Sequence, residues 1–263
     1  MIIETLRSLK ESNIVMQWIV KDLISPGGWT FFVGETKVGK SIMMVQLCVA
    51  LQEGKPFLGM ETTRHNCLYV QADAGLVEWK MQVTQLAGDS IAWTAHQMER
   101  GWLDVPQERQ RLRDIIWGTY PDESPLAPVL NHIPFTFVIF DCLHAMTNED
   151  INTKTSMSTT IAHINEMVVR RVNDTVEQVH YVLIHHPNAN IKRGPIAGAG
   201  SKAFSDACST KLTLSSTILA LEGCKLLGKR EIELARDMTT GAWIVPETRM
   251  SNFDYMKALG IRK

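Results

Sequence analysis

Apolar residues in this chain fall into short β-rich runs separated by longer segments with apolar positions at helical spacing. The runs are 30-TFFV-33, 67-CLYV-70, 135-FTFVIF-140 and 180-HYVLI-184, and helices are predicted around 75–87, 105–117 and 155–173. Strands that alternate with helices join by crossovers rather than tight turns. The pattern therefore predicts an α/β fold, a mostly parallel twisted sheet flanked by helices. Farther on, 210-TKLTL-214, 217-TILAL-221, 231-EIELAR-236 and 242-AWIV-245 lie close enough together to form C-terminal β-hairpins. Segments 121–134 and 187–201 read as long surface loops. The second leaves the carboxyl end of a strand, where open parallel sheets bind ligands. No repeat or early linker divides the chain, so residues 1–263 read as a single domain. Its core runs from about 13 to 246, with a short N-terminal helix over 1–12 and a tail over 247–263.

The stretch after the first apolar run, 34-GETKVGKS-41, fits G-x-x-x-x-G-K-[ST]. In that pattern the glycines let backbone N–H groups curl round phosphates, the lysine reaches the outer phosphate oxygens and the serine holds Mg2+. Strand, loop and apolar helix follow one another here in the order the pattern requires, and the helix points its N-terminal dipole at the phosphates. Gly34, Glu35, Thr36, Lys37, Val38, Gly39, Lys40, Ser41 and Ile42 are the candidate ATP-binding residues, with Lys40 also catalytic.

Charge and composition narrow the field. Lys+Arg of 27 against Asp+Glu of 28 leaves a net charge of -1, so no global basic field points to nucleic acid and any such contact is local. The N-terminus lacks the apolar core of a signal peptide and no uncharged apolar run is long enough to span a membrane, which reads as a cytoplasmic protein without membrane contact. Cys48, Cys67, Cys142, Cys208 and Cys224 show no C-x-x-C pair and read as packing residues. Trp79, Trp93, Trp102 and Trp117 read the same way.

Around the phosphate loop three further positions carry chemistry. Asp141, closing 136-TFVIFD-141, is the candidate Mg2+ carboxylate. Asp73 follows the strand expected beside the P-loop strand, where it either orients the attacking water or caps the next helix. His185 and His186 end a strand where a side chain can feel the γ-phosphate. Without a third ligand nearby they do not make a metal site. A small-molecule kinase would need an arginine-rich lid, and Arg109, Arg111 and Arg113 read as facing different ways on their helix.

The sequence resembles RecA-fold ATPases of the plasmid and phage replication type, including the RepA-like hexameric replicative helicases and the AAA_25 group. The resemblance covers about residues 13–246 and rests on 18-WIVKDLISPGGWTFFVGETKVGKSIMMVQL-47, 54-GKPFLG-59, 68-LYVQADA-74, 138-VIFDCLH-144, 184-IHHPN-188, 198-GAGSKAFSDACST-210 and 228-GKREIEL-234. It implies a RecA-like P-loop NTPase core that assembles into a hexameric ring or filament, with ATP and Mg2+ between subunits and single-stranded DNA in the centre. Replication or recombination proteins are the partners it implies, and a helicase-like motor is the activity. A recombination or single-strand annealing protein that uses ATP as an assembly switch is the alternative.

The resemblance further implies His186 near the sensor position. The family commonly has glutamate where Asp73 stands, and an arginine where Ala199 stands; that arginine reaches the neighbouring subunit's ATP. Lys202, Lys229 and Arg230 are the available substitutes for it. Lys192 and Arg193, in the second long loop, are candidates to meet DNA phosphates, as is Lys202.

Overall fold

The computed structural model describes residues 17–87, 94–124, 127–151, 153–173, 175–186, 204, 207–222 and 229–246. Expectations for the 1–12 helix, the 247–263 tail, Trp93, Cys224, Lys192, Arg193, Ala199 and Lys202 lie outside them.

Within those residues the chain runs β1 (Trp29–Gly34), α1 (Lys40–Glu53), β2 (Cys67–Gln71), α2 (Leu76–Ala87), β3 (Thr94–Gln97), a 3-10 turn (Trp102–Asp104), α3 (Pro106–Trp117), α4 (Ala127–Leu130) and β4 (Phe137–Asp141). It continues through α5 (Leu143–Met146), α6 (Lys154–Val168), β5 (Val169–Val172), β6 (Thr175–Gln178), β7 (His180–His185), β8 (Thr210–Leu214), β9 (Ile218–Leu221), β10 (Arg230–Glu233), β11 (Ala235–Arg236) and β12 (Trp243–Ile244).

One eight-stranded sheet in the order β10-β9-β8-β1-β7-β4-β2-β3 organises the molecule. From β8 to β3 every neighbouring pair is parallel, while β9 and β10 are antiparallel additions at one edge. This is the mostly parallel sheet with flanking helices that the alternation predicts. Because consecutive residues of a strand point to opposite faces, each strand feeds two cores. Phe32, Tyr69, Ile139 and Val182 pack beneath α1 and α2 with Met43, Leu47 and Trp79. Phe31, Val70, Phe140 and Leu183 pack beneath α3 and α6 with Leu112, Ile116, Ile164 and Met167. Each fully buried side chain of this kind contributes roughly 1.5–3 kcal/mol.

Several expectations change. The strand carrying Asp73 is not beside the P-loop strand, because β7 and β4 stand between β2 and β1. The helix predicted over 155–173 stops at Val168. The segment after it, with β-branched Val169, Val172, Thr175 and Val176, forms the antiparallel pair of β5 and β6, in which Val169 faces Gln178. The run 231–236 splits at Leu234, whose buried side chain and bond from its N–H to the Thr217 carbonyl turn the chain from β10 into β11. Polar 94-TAHQ-97 forms edge strand β3, which apolar periodicity does not reveal. The first long loop contains the short helix α4.

Trp79, Trp102 and Trp117 are buried packing residues, and the Trp117 indole donates to the Met167 carbonyl at 2.7 Å. Arg109 and Arg113, one helical turn apart, do share a face. Arg109 pairs with the Glu166 carboxylate at 3.3 Å and Arg113 donates to the Glu166 carbonyl, so both tie α3 to α6 rather than forming a lid.

Candidate active site

Strand β1 has β7 on one side and β8 on the other, each reached by a long excursion of the chain, so the order of the sheet reverses there. Ligands of open α/β sheets sit beyond the carboxyl ends of the strands at such a point, and the loop from β1 to α1 occupies it.

The glycines of that loop have packing reasons as well as conformational ones. A Cβ on Gly34 would lie 2.5 Å from the Leu214 carbonyl oxygen of β8. Gly39 takes φ 98°, and a Cβ on it would lie 1.7 Å from Nη2 of Arg236. Gly39 is also the N-cap of α1 and offers no side-chain hydrogen bond, so the first N–H groups of a 14-residue helix are left without a side-chain cap. An anion satisfies such groups. Glu35, Thr36 and Lys37 are exposed on the rim, and Val38 and Ile42 pack on the core under α1.

Lys40 is buried at the centre of this loop. Its ammonium donates to the carbonyls of Gly34 and Glu35, each at 2.7 Å, and lies 2.8 Å from Nδ1 of His186. Burial lowers its pKa to about 8, against the opposing pull of Asp141, Cys142, Asp73 and Glu35. Burial, followed by the Lys40 and His144 charges, likewise lowers His186 to about 4. At neutral pH the imidazole is therefore uncharged, with Nδ1 as acceptor and Lys40 as donor.

Behind the lysine, the Ser41 hydroxyl donates to Oδ2 of Asp141 at 2.6 Å, and the buried Tyr69 hydroxyl donates to the same oxygen at 2.6 Å. Burial raises the Asp141 pKa, and the bonds from Ser41 and Tyr69 and the Lys40 charge counter that rise. An alcohol oxygen beside a carboxylate is the hard-oxygen pair that Mg2+ takes beside a nucleotide, so the residues present fit the metal.

A second polar group meets this one from the ends of three strands. Asp73, just after β2, lies 3.4 Å through Oδ1 from Nε2 of His144 and 3.9 Å through Oδ2 from Nε2 of His186. His144, in α5, also approaches the thiol of Cys142 at 2.8 Å through Nδ1 and 3.7 Å through Nε2. The strand-end histidines separate by alternation: His185 turns into the core against Phe31, where burial lowers it to about 4, and His186 faces Lys40. Of that pair only His186 faces this group, and a donor atom of Cys142 and one of His144, both far from it in sequence, lie within 4.8 Å of it, so neighbours that the sequence did not reveal are present. Cys142 is buried in the core as a packing residue, and its sulfur also meets this polar group.

The strand pair of β11 and β12 closes the other side of the loop. Arg236 donates to the Val38 carbonyl at 3.3 Å and the Gly241 carbonyl at 2.6 Å, with its guanidinium 3.9 Å over the Trp243 ring. The Trp243 indole donates to the Gly39 carbonyl at 3.1 Å. Tyr69, Cys142, His144, Arg236 and Trp243 are the site residues that the sequence reading missed. For Cys142 and His144 a signal existed in 138-VIFDCLH-144, next to the acidic strand end; Arg236 sat unremarked at the end of a strand-like run. Lys229 and Arg230 are exposed at the outer edge of the sheet, three strands from β1, and are not brought to this chain's own loop.

A family model described as an AAA domain, AAA_25, matches residues 5–190 of the chain. Among solved structures, the flagellar accessory protein FlaH from Methanocaldococcus jannaschii is similar at 11% identity with a TM-score of 0.46, over 81% of this chain and 87% of that one. No curated protein matches the chain.

Proposed function

We propose, because this chain belongs to the AAA_25 family of AAA-domain proteins, that it binds ATP with Mg2+ at the loop between β1 and α1, hydrolyses it, and spends the energy as an oligomeric, replicative-helicase-like motor on single-stranded DNA. The observation that carries the ATPase reading is Lys40, whose charged group is held by two loop carbonyls and His186 beside the Ser41–Asp141 pair. In such an arrangement Lys40 exchanges its present acceptors for phosphate oxygens, and the uncapped N–H groups of α1 hold the remaining phosphate charge. Ser41 and Asp141 hold Mg2+, which supplies neutralisation of phosphate charge when bound. Asp73 orients the attacking water and accepts its proton, and His144 fixes the carboxylate through Oδ1. His186, freed by Lys40, donates to the phosphoryl group from the end of β7.

The motor reading adds groups outside this pocket. Lys229 and Arg230, exposed at the sheet edge, reach the γ-phosphate of a neighbouring subunit in a hexameric ring or filament. Lys192, Arg193 and Lys202 contact the DNA backbone. A single-strand annealing protein that uses ATP as a switch is the second reading. It is favoured by the short Asp73 side chain and by its engagement with two histidines, which slow hydrolysis.

Steady-state ATP hydrolysis with and without single-stranded DNA, alongside mass photometry, tests the proposal. Stimulation by DNA in a closed oligomer, unwinding of a forked duplex, and loss of turnover in Lys40→Ala are expected. Unchanged turnover in Lys40→Ala removes the ATPase assignment. Slow unstimulated turnover with an intact fork and paired complementary strands selects the annealing reading.

A further inference from the structure

We propose that Cys142, His144, His186 and Asp73 form a site for a divalent transition metal of the zinc type, separate from the hard-cation position at Ser41 and Asp141. One donor atom from each of Cys142, His144 and His186 lies within 4.8 Å of the other two. Through Nε2, His144 stands 3.7 Å from the Cys142 sulfur and 3.4 Å from Oδ1 of Asp73; Nε2 of His186 stands 3.9 Å from Oδ2 of Asp73. With metal–ligand bonds of about 2.0–2.3 Å, the donors of a tetrahedral zinc site are roughly 3.3–3.6 Å apart. Small side-chain rotations bring the sulfur and the two imidazoles onto one ion, and Asp73, whose two oxygens each face one of the histidines, turns one of them in as the fourth ligand.

The donors come from beyond the ends of three neighbouring strands: the turn after β2, the start of α5 after β4, and the end of β7. The buried thiol forms the floor, while His144 and Asp73, with side chains 36% and 40% exposed, leave an entry from solvent. One sulfur and two imidazoles select zinc-like ions over Mg2+, which demands oxygen ligands. Coordination releases the thiol proton to solvent, and the thiolate and carboxylate together balance the charge of the ion.

The site is coupled to the phosphate loop through one proton. For Nε2 of His186 to bind a metal, the ring proton must move to Nδ1, which then no longer accepts from the Lys40 ammonium. Metal ligation and the Lys40–His186 bond thus exclude one another, and the site is most available once phosphate has drawn Lys40 away. An occupied site withdraws Asp73 and His186 from hydrolysis while leaving nucleotide in place. That last consequence rests on the catalytic roles proposed above, whereas metal binding itself does not.

The test is titration of the full chain with Co2+, followed by displacement with Zn2+, in the presence of Mg2+ and ADP. One equivalent with tetrahedral visible bands and a thiolate-to-cobalt charge-transfer band is expected. Cys142→Ser should lose the charge-transfer band and weaken Zn2+ binding by on the order of 100-fold, while still binding nucleotide as a check on folding. His144→Gln, which keeps the thiol, should weaken it as well. Absence of the charge-transfer band in the wild type, or equal binding in both variants, overturns the site. A chelator-reversible block of ATP hydrolysis in the wild type, at the Zn2+ concentration that displaces one equivalent of Co2+, supports the coupling. Full hydrolysis with the site occupied overturns the coupling and the role of Asp73, and leaves the metal site standing.

Discussion

Lys40 and His186 are bonded to each other at 2.8 Å although 146 residues separate them, so the phosphate loop rests against the end of β7. In this arrangement every proton of the ammonium has an acceptor inside the protein.

The first prediction concerns pH. With its pKa lowered to about 8, Lys40 loses its charge in the free protein as pH rises through that value. Affinity for MgADP should then fall on the order of fivefold between pH 8 and pH 9, where the protonated fraction falls by about that factor. Calorimetric titration across this range checks it; a flat profile would show that Lys40 does not meet the phosphates.

The same lowered pKa has a cost for folding. A lysine whose folded pKa lies below its ordinary 10.5 opposes folding at neutral pH, and the opposition fades only as pH climbs from about 8 toward 10.5. Lys40→Met should accordingly stabilise the free protein at pH 7 by roughly 1–3 kcal/mol while abolishing turnover. Urea denaturation reads the first effect and a phosphate-release assay the second.

Arg236 and Gly39 support a double-mutant cycle. Arg236→Ala removes hydrogen bonds to Val38 and Gly241 and the stacking on Trp243, which should cost roughly 1–3 kcal/mol. Gly39→Ala meets both an unfavourable positive φ and the guanidinium. In the Arg236→Ala background the added methyl has room, so the glycine substitution should cost less there than in the wild type. Strictly additive denaturation free energies would contradict the contact.

The apolar runs and the P-loop pattern were enough to read the parallel sheet, the buried α1 and the group Gly34, Gly39, Lys40, Ser41 and Asp141, because each rests on local spacing. What escaped depends on contacts between distant segments. Asp73 was misplaced by two strands since strand order is a property of crossovers, not of the strands themselves. The Val168 boundary was missed because a helix that passes into a strand without a break gives no stop signal. Cys142 and His144 looked inert because their partners, Asp73 and His186, are supplied by other strands.

Mg2+ affinity is predicted to depend on a residue that never touches the ion. Tyr69→Phe removes one of the two hydrogen bonds that hold Asp141 ionised against burial, so the carboxyl pKa should rise further. Mg2+-dependent nucleotide binding should weaken several-fold, most strongly at lower pH. Equal Mg2+ dependence in variant and wild type would deny Asp141 its role.

Acid stability is predicted to hinge on His180, at the end of the sheet away from the site. Its ring is buried between the Thr30 hydroxyl at 3.0 Å and the Gly27 carbonyl at 3.3 Å, and burial lowers its pKa to about 3. The unfolded chain takes up the proton first, so this stability is intact above about pH 6.5 and is lost as pH falls toward 3. Between these values the histidine contributes about 1.4 kcal/mol per pH unit. His180→Gln should flatten the pH dependence of the unfolding free energy from urea denaturation by that amount, without altering the activity profile.

The position of β1 between β7 and β8 also sets an order of events during synthesis. Its anchoring contacts, Thr30 to His180 and Trp29 to Ser209, span 150 and 180 residues. A ribosome releasing the chain from its N-terminus exposes the apolar β1 and α1 long before either flanking strand exists. The phosphate loop therefore gains its final shape late, and a nascent chain halted before β7 should bind no nucleotide and should depend on chaperones to shield α1.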